Sequence, residues 1–500
     1  MNILSDRFSE IKKASEPLYR TPKSVQETVE ILKISEGGIF EVADGKYSKT
    51  YRFSDVNYAT RTENEQESFF QKYCKCLNSF DCTFKITVNN KNRDMEALRN
   101  EVMLGLRNDG FDEMRESYNR IIEEKILEGR QGIEQERYIT VTVKRKNFEE
   151  AKAQFATIES TMFKSFAELG SRLTPLSGNE RLRILHDYYR LGREDEFNFD
   201  IRKGKITGTD FRNEICNTRI KYHPDYFEDE GKVGRVLFIK KYPTYLSDRF
   251  FRELTFLPVH SITSVDVVPV PKDLTMKMLQ KKYLGIESDI IKQQRTRNRN
   301  NDFSSDISYS TRQKKRDIEE IMNNVRENDE SLFYVSVTMI VMAESRKELN
   351  SICKTIDSIA KGAGCAVDTC MYKQREAVNT TLPIGVRQIE TMRTMLTQSL
   401  AVLMPFNVQE LCDRDGIYYG VNQISRNIIV GNRKKLLNGN GFIFGVSGAG
   451  KSFQAKMEMG SVLLSTDDNV IAVDPMNEYE DVTEKYNGTY INISTNTRNY

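Results

Sequence analysis

The sequence has no long apolar run, almost no imbalance of charge and few histidines. No segment approaches the roughly 18 consecutive apolar residues of a membrane-spanning helix. The charged N-terminus, "MNILSDRFSEIKKASEPLYR", contains no hydrophobic signal core. The net charge of +2 gives no overall attraction to nucleic acid or to a membrane. We therefore expect a cytoplasmic protein that is peripheral to the membrane only through its partners.

Metal-binding patterns are scarce as well. The chain has eight cysteines and three histidines. The stretch "CKCLNSFDC" brings Cys74, Cys76 and Cys82 close together, but their spacing is not that of a zinc site. We expect the cysteines to be buried, reduced thiols, as is usual inside cells.

The 500 residues exceed what one hydrophobic core accommodates, and the length suggests about three domains. We expect an α/β protein in which residues 1–240 form an N-terminal α+β region. Residues 241–412 are predicted to form a second α+β subdomain that contains a basic linker. Residues 413–500 are predicted to begin a third domain. This last boundary lies near Cys412.

The first 130 residues contain several local signals. Residues 1–25 look like a loose arm. "GGIFEVADGKYSKTYRFSDVNYA" alternates apolar and polar residues around a "DG" turn, which predicts a β-hairpin. "KITVNN" predicts a further strand, and residues 95–130 have helical patterns rich in Glu and Arg.

A faint internal repeat follows. "ERYITVTVKRKNFEEAKAQFATI" and "LFYVSVTMIVMAESRKELNSICKTI" each predict an alternating strand, beginning at Tyr138 and Tyr334, and then an amphipathic helix. Each helix opens with a capping pair three residues apart. The pattern fits a duplicated subdomain, and it also fits two unrelated strand–helix units. The pairs are Asn147 with Glu150 and Ser345 with Glu348; the apolar faces are Phe155, Ile158 and Met162, and Leu349, Ile352, Ile356 and Ile359.

Residues 291–316 hold eight basic and two acidic residues, "IKQQRTRNRNNDFSSDISYSTRQKKR". One interpretation is a surface for DNA or another anionic partner. The other is a solvated helix pair with a flexible link, which we prefer because no aromatic residue interrupts the basic half as a base-stacking surface requires. Further along, "TMRTMLTQSLAVLMPF" predicts a helix that ends at Pro405.

The stretch "GFIFGVSGAGKSFQAKMEMG" contains the pattern G-x-x-x-x-G-K-[ST] from Gly445 to Ser452. The glycines let backbone N–H groups surround phosphate oxygens, and the following helix directs its positive dipole end toward them. Lys451 places an ammonium on the β- and γ-phosphates, and Ser452 offers a ligand to Mg²⁺. "GFIF" supplies the strand before the loop. The predicted ATP-binding residues are Gly445, Ser447, Gly448, Ala449, Gly450, Lys451, Ser452 and Phe453.

Four segments in order now resemble one family: "QSLAVLMPF", "GIYYGVN", "LLNGNGFIFGVSGAGKSFQAKMEM" and "VIAVDPMNEYEDV". They are similar to the large VirB-type conjugative-transfer ATPases of type IV secretion systems, in the form carried by Gram-positive mobile elements. The resemblance is most specific from about Thr391 onward. It also extends, more weakly, to "GKYSKTYRFSDVNYA" and "GRVLFIKKYPTYL".

The resemblance implies a RecA-like motor of the FtsK and HerA kind that uses ATP and Mg²⁺ and works as a homo-hexamer below the secretion channel. It also implies an N-terminal region that docks on the inner-membrane channel proteins. The family's motor continues for some hundreds of residues beyond the position of Tyr500. Residues 413–500 are therefore predicted to be the first part of a P-loop ATPase domain, which is incomplete here. We expect this chain to be a fragment or a truncated copy.

The segment "NVIAVDPMNEYEDV" ends a predicted strand, residues 470–473, at Asp474. In RecA-like motors the acidic pair that holds Mg²⁺ usually lies on a later strand. We therefore expect Asp474 and Glu478 to shape the mouth of the site or contact the nucleotide from its side, with Glu478 as a catalytic candidate beside Lys451. The alternative is a capped turn at a strand end.

Two other functions fit less well. A DNA-pumping coupling ATPase of the same superfamily generally carries N-terminal membrane helices, and this sequence contains no apolar run of that length. A non-catalytic scaffold would occupy the channel base and bind nucleotide weakly or not at all.

Overall fold

A computed structural model describes residues 22, 24–92, 95–128, 133–299, 309–327, 329–413, 415–423 and 427–493. Within them, the chain is a mixed α/β protein with one large antiparallel sheet and fifteen α-helices. The strands are β1 Lys33–Ile34, β2 Ile39–Ala43, β3 Lys46–Phe53, β4 Thr83–Asn92, β5 Ile133–Lys144, β6 Leu173–Pro175, β7 Ile220–Tyr222, β8 Phe227–Asp229, β9 Lys232–Lys241, β10 Ser261–Val270, β11 Leu332–Ala343, β12 Ala366–Thr369, β13 Arg393–Leu396, β14 Ile417–Val421 and β15 Ile428–Gly431. The helices are α1 Glu63–Asn78, α2 Met95–Val102, α3 Asp112–Glu128, α4 Phe148–Leu169, α5 Gly178–Tyr189, α6 Ile201–Thr207, α7 Phe211–Ile215, α8 Asp248–Thr255, α9 Lys272–Arg299, α10 Tyr309–Glu327, α11 Arg346–Gly362, α12 Gln374–Thr381, α13 Thr397–Ala401, α14 Lys451–Ser465 and α15 Glu480–Lys485.

Thirteen strands form one sheet in the order β1-β2-β3-β5-β4-β10-β11-β9-β8-β7. Three more pairings complete it: β6 with β3, β12 with β9 and β13 with β11. The central strand β11 is buried on both faces. Its alternate residues point to opposite sides, so that Val335 and Val337 lie in one core and Ile340 and Met342 in the other.

The two halves of the sheet repeat the same pairings. In the first half β3 pairs with β5, β5 with β4, and β6 with β3. In the second half β9 pairs with β11, β11 with β10, and β12 with β9. The halves meet where β4 pairs with β10, and there the hydroxyl oxygens of Thr87 and Ser264 form a hydrogen bond of 2.8 Å.

The helices follow the same arrangement. The larger core contains residues from α1 and α4 of the first half and from α8 and α11 of the second. The core on the opposite face contains residues from α5 and α12. Each half also has a helix pair between two of its strands in the chain: α2 and α3 lie between β4 and β5, and α9 and α10 lie between β10 and β11.

A strap, residues 379–391, crosses the polar centre of the sheet face on which α5 and α12 pack. Side chains from the strands donate to its backbone carbonyls: Ser48 Oγ to Ile384 O at 2.6 Å and Lys85 Nζ to Val386 O at 2.9 Å. Gly385 lies in the left-handed region, with φ 87°, and a Cβ there would be 2.6 Å from the Cβ of Ser48. The strap therefore satisfies the polar groups of the sheet only with glycine at this position.

The helical arm, defined as α2, α3 and the loop between them, packs away from the sheet. Its residues Tyr118 and Ile122 share a small core with Ile428 and Val430 of the β14–β15 hairpin. The arm therefore links the N-terminal half of the sheet to the segment that precedes residues 445–452, the predicted phosphate-binding loop (the phosphate loop).

Several predicted elements are confirmed. The "DG" hairpin is β2–β3, "KITVNN" lies in β4, and helices occupy most of residues 95–128. Both strand–helix units form, although their strands begin earlier than predicted, at Ile133 and Leu332. The caps are also present: Glu150 N donates to Asn147 Oδ1 at 2.9 Å, and Glu348 N donates to Ser345 Oγ at 3.3 Å. The predicted helix faces pack on the larger core.

The predicted helix of "TMRTMLTQSLAVLMPF" is wrong. Its first part is strand β13, which pairs with β11 between Leu332 and Val335. Only the short helix α13 follows it. The periodicity of this sequence favours a helix, but part of β11 has an edge that would otherwise be unpaired. An apolar segment beside such an edge gains both sheet hydrogen bonds and burial as a strand, and this gain exceeds the helical preference.

The basic stretch falls largely on α9 and α10, so the helix pair is confirmed, whereas its link, residues 300–308, lies outside the described residues. So do residues 1–21 of the predicted N-terminal arm. Strands from the predicted ranges 1–240 and 241–412 share one sheet, since β9 pairs with both β11 and β12. Among the described residues, no helix has the length and apolar content needed to cross a bilayer.

Candidate functional site

The phosphate loop lies between the β14–β15 hairpin and α14. Two contacts fix α14 to the hairpin region: Tyr419 Oη donates to Glu458 Oε1 at 3.3 Å, and Arg433 Nη2 lies 2.6 Å from the same carboxylate oxygen. The Arg433 guanidinium also faces the ring of Tyr419, 5.5 Å from its centroid. These residues support the helix that carries the loop.

Sequence reasoning missed this cluster of Tyr419, Arg433 and Glu458. No local spacing brings the three together, because they belong to three separate elements of the chain. The one available signal was the basic run "NRKK" after a strand. A Cβ on Gly441 would lie 2.8 Å from Arg433 Nη2, so the absence of a side chain there lets the guanidinium lie against the backbone that leads into the loop.

The loop backbone requires glycine at two positions. Gly448 and Gly450 have φ values of 78° and 85°, in the left-handed region that glycine adopts without strain. Gly450 is the N-cap residue of α14, and Gln454 N donates to its carbonyl at 2.9 Å. The first N–H groups of α14 have no partner within the helix and can therefore bind an anion.

Gly445 marks the tightest part of the curl. A Cβ at this position would lie 3.2 Å from Ala449 Cβ and 3.2 Å from Lys451 Cγ. That separation is shorter than ordinary van der Waals contact between carbon atoms. A side chain at this position would require Ala449 or Lys451 to move, so the loop closes tightly on itself, which fits a phosphate cradle.

Lys451 lies over this cradle. Its Nζ donates to the carbonyl of Val446 at 3.0 Å, and its side chain is exposed. Ser452 and Phe453 are exposed too, the latter by 68%. Ser447 and Ala449 complete the exposed loop. A triphosphate could therefore approach the predicted ATP-binding residues from solvent, with Lys451 as its cation and the Ser452 hydroxyl as a ligand for Mg²⁺.

The two acidic candidates differ in what they bind. The Asp474 carboxylate accepts from Met476 N at 3.1 Å and from Tyr479 N at 2.9 Å. Desolvation raises the pKa of Asp474, but these backbone N–H groups outweigh it and the pKa lies below its usual value. Asp474 therefore caps a turn. The side chain of Glu478 is exposed and makes no hydrogen bond or ion pair within the described residues.

The loop and the acidic residues are not joined by a hydrogen bond or ion pair among the residues that the structure describes. Neither is there, in those residues, a group of three His, Cys, Asp or Glu side chains suited to a metal ion. Among the described residues of this region, the candidate ligands for phosphate and Mg²⁺ are thus those of the loop itself.

The strands predicted on either side of α14 are wrong. Residues 441–445 and 470–474 do not form strands. Phe444 and Val473 are 87% and 93% exposed, and the rings of Phe442 and Phe444 stack on each other at 5.7 Å. A strand requires a neighbour for its N–H and C=O groups, and none of the described strands pairs with these segments.

No protein-family model matches this chain, and neither does any curated protein.

Proposed function

We propose that this protein is the ATP-binding motor component of a conjugative-transfer, or type IV secretion, machine. The observation that carries the proposal is the phosphate loop: two left-handed glycines, the tight curl at Gly445 and Lys451 at the start of a 15-residue helix. The order of its flanking segments, which resembles VirB-type ATPases, supplies the cellular role. In that role the motor energises assembly of the channel or transfer of DNA or protein.

The remaining parts of the proposal follow from the same resemblance. Residues 413–500 would be the first part of a RecA-like domain, and the complete protein would act as a homo-hexamer. The N-terminal region, residues 1–240, would dock on inner-membrane channel proteins and keep the motor at the cytoplasmic face of the membrane. The matching halves of the large sheet support a duplicated subdomain as its origin.

A non-catalytic scaffold is the second candidate. It is favoured by one observation: Asp474, the acidic residue at the end of the predicted strand, uses both carboxylate oxygens to cap a turn. A P-loop motor needs acidic groups that hold Mg²⁺ and orient the attacking water. Weak or absent binding of nucleotide would support the scaffold.

Equilibrium binding of a fluorescent ATP analogue with Mg²⁺ tests the proposal. Lys451→Ala removes an ammonium that donates to the loop backbone. We expect affinity to fall about tenfold to a hundredfold, since charged hydrogen bonds contribute about 1.5–3 kcal/mol each. The control is Lys434→Ala, because Lys434 also lies in the range 413–500 but forms an ion pair with Asp468. Absence of binding by the unaltered chain, or equal loss in both variants, contradicts the proposal.

The cellular role is tested in a donor cell whose conjugative element encodes this protein. Lys451→Ala should abolish transfer while the protein remains at its normal level, because the exposed side chain contributes no core packing. Transfer at the unaltered frequency would refute the motor assignment.

A further inference from the structure

The C-terminal end of α14 is held by two arginines of the helical arm. Arg107 Nη2 donates to the carbonyl of Ser465 at 2.9 Å, and its Nη1 forms an ion pair with Asp467 at 2.9 Å. Arg115 Nε donates to the carbonyl of Leu464 at 3.3 Å. These carbonyls are among the last four of the helix, which have no intrahelical partner. Cations at this end also stabilise the helix dipole.

Arg115 is held firmly on the arm side. It is buried, and its Nη1 and Nη2 donate to the two carboxylate oxygens of Asp109 at 2.6 Å each. Nη1 also donates to Asp112 at 2.8 Å. Asp112 in turn accepts from the backbone N–H groups of Arg107 and Asn108. The loop that carries Arg107 is thus fixed to the start of α3, which carries Arg115.

The middle of α14 is packed less closely against the arm. A cavity of about 440 Å³ separates α3 from α14 and is lined by Met114, Tyr118, Met457 and Gly460, among others. Phe111 of the arm contacts Tyr486, whose hydroxyl lies close to Gly460. The helix therefore has a polar attachment at its C-terminal end and free space on the side that faces the arm.

We propose that Arg107 and Arg115 transmit the nucleotide state of the phosphate loop to the helical arm, and through it to the sheet. This inference rests on the proposed function, because it assigns regulation to the same site. The loop begins α14 and the arginines bind its end, about 22 Å away for 15 residues. A helix is stiff over that length, so closure of Lys451 and the loop N–H groups on phosphate displaces the carbonyls that the arginines hold. By linkage, the arginines must then also affect nucleotide affinity.

Hydrogen–deuterium exchange with and without an ATP analogue and Mg²⁺ tests the transmission. In the unaltered chain, nucleotide should slow exchange in the loop and first turns of α14 and also in residues 103–118. In Arg107→Ala the protection of residues 103–118 should disappear while that of the loop remains. Nucleotide affinity should change about fivefold, within the usual range of coupling between sites.

The matched control is Arg99→Ala. Arg99 lies in the same arm, its side chain is 39% exposed against 41% for Arg107, and it has its own ion pair with Glu123 at 2.7 Å. It does not contact α14 among the described residues. We expect Arg99→Ala to leave both the nucleotide affinity and the protection of residues 103–118 unchanged. Arg107→Lys, which keeps the charge, should restore part of the coupling.

The outcomes separate this inference from the proposed function. If the unaltered chain binds nucleotide through Lys451 but residues 103–118 do not respond, transmission is refuted and the function stands. Equal effects of the Arg107 and Arg99 variants would also refute it, because they would show a general loss of arm stability. If the chain binds no nucleotide, the function itself fails and the inference with it.

Discussion

Similar apolar segments have opposite environments in the body, residues 24–409, and in the nucleotide segment, residues 437–493. In the body, "FYVSVTMIVMA" is strand β11, and Val335 and Ile340 are fully buried. In the nucleotide segment, "GFIF" and "VIAV" have comparable composition. Nevertheless, their side chains Phe444 and Ile471 are 87% and 92% exposed.

The difference shows that an apolar run is not sufficient to form a strand, because a strand also needs neighbouring strands to pair with. The ladder of β11 depends on β10, β9 and β13, which come from distant parts of the chain. By contrast, α14 forms in the nucleotide segment because its hydrogen bonds are local, each reaching four residues back. Local elements of this segment are therefore formed, whereas its non-local elements are not.

The same contrast applies to the chemistry. The curl of the phosphate loop depends on backbone angles at Gly448 and Gly450, which the sequence specifies locally. The placement of an acidic residue opposite the loop depends on sheet pairing. Accordingly, Lys451 lies on the loop as expected, while Asp474 caps a turn.

Arg181→Met should have the largest effect on the body. This buried side chain donates from Nη1 to Gly38 O and Ser48 O, both at 2.9 Å, and from Nη2 to the strap at Pro383 O. Its loss removes all of these buried hydrogen bonds from a charged donor, so we expect unfolding by urea to show a loss of about 3 kcal/mol. The nucleotide segment should be unaffected, because it makes none of these contacts.

The control for this variant is Arg183→Met on the same helix. The Arg183 side chain is 57% exposed and lies 3.9 Å from Asp187, an ion pair worth less than about 1 kcal/mol. If both variants were equally mild, the buried contacts between the strap and the sheet would not stabilise the body as described.

Limited proteolysis should separate the two regions next. Exposed segments with few buried contacts open readily, so residues 437–493 should be cleaved roughly a hundredfold faster than the body. Mass spectrometry of the fragments at early times measures the ratio. Cleavage first within β10 or β11 would show that the body is not the more stable region. Protection of residues 437–493 by nucleotide would show that ligand binding reduces the difference in local stability between the two regions.

The sequence predicted most elements that depend on nearby residues. The "DG" turn sets the β2–β3 hairpin, and the caps at Asn147 and Ser345 begin α4 and α11. The glycines of the phosphate loop belong to the same class. In each case the determining contacts span only a few residues, and a sequence pattern therefore records them.

Features that depend on distant contacts were missed. The sequence offers no sign that Arg137 pairs with Asp55 and donates to Pro405 O, or that Asp266 pairs with Arg387 of the strap. The one-sheet arrangement of the body is also non-local, since β4 and β10 meet across 170 residues or more of chain, as between Thr87 and Ser264. Such contacts depend on three-dimensional packing, which periodicity does not encode.

A pH-dependent effect should distinguish the body further. Burial raises the pKa of Asp229 to about 7, despite a hydrogen bond from Asn217 that lowers it. The folded state therefore binds this proton more tightly than the unfolded chain does. The stabilisation is complete below about pH 4, and it is lost as the pH rises through 7.

Asp229→Asn removes this titration and keeps an acceptor for Asn217. Relative to the unaltered chain, we expect it to gain roughly 2 kcal/mol at pH 8.5 and much less at pH 4. Urea unfolding at the two pH values measures the difference. A gain that is equal at both would show that Asp229 does not titrate in this range. Asp187→Asn, at a more accessible carboxylate, is the control.

The smallest expected effects concern the two acidic residues of the nucleotide segment. They test whether an acidic side chain lies opposite the phosphate loop when nucleotide is bound. Asp474→Ala removes two hydrogen bonds to backbone N–H groups, so the turn at residues 475–479 should lose about 1 kcal/mol, the typical value of a cap. Amide exchange at Tyr479 measures this loss. Nucleotide affinity should change less than about twofold, since a cap acts within its own turn.

Glu478→Gln should leave the turn intact, because its side chain makes no hydrogen bond or ion pair among the described residues. If Glu478 contacts the bound Mg²⁺ or its water, this variant should instead weaken the Mg²⁺ dependence of binding about threefold to tenfold, as expected for one lost charged hydrogen bond near solvent. The opposite pattern, with Asp474 controlling the Mg²⁺ dependence, would show that this carboxylate leaves its turn when nucleotide binds and serves as the acid of the site.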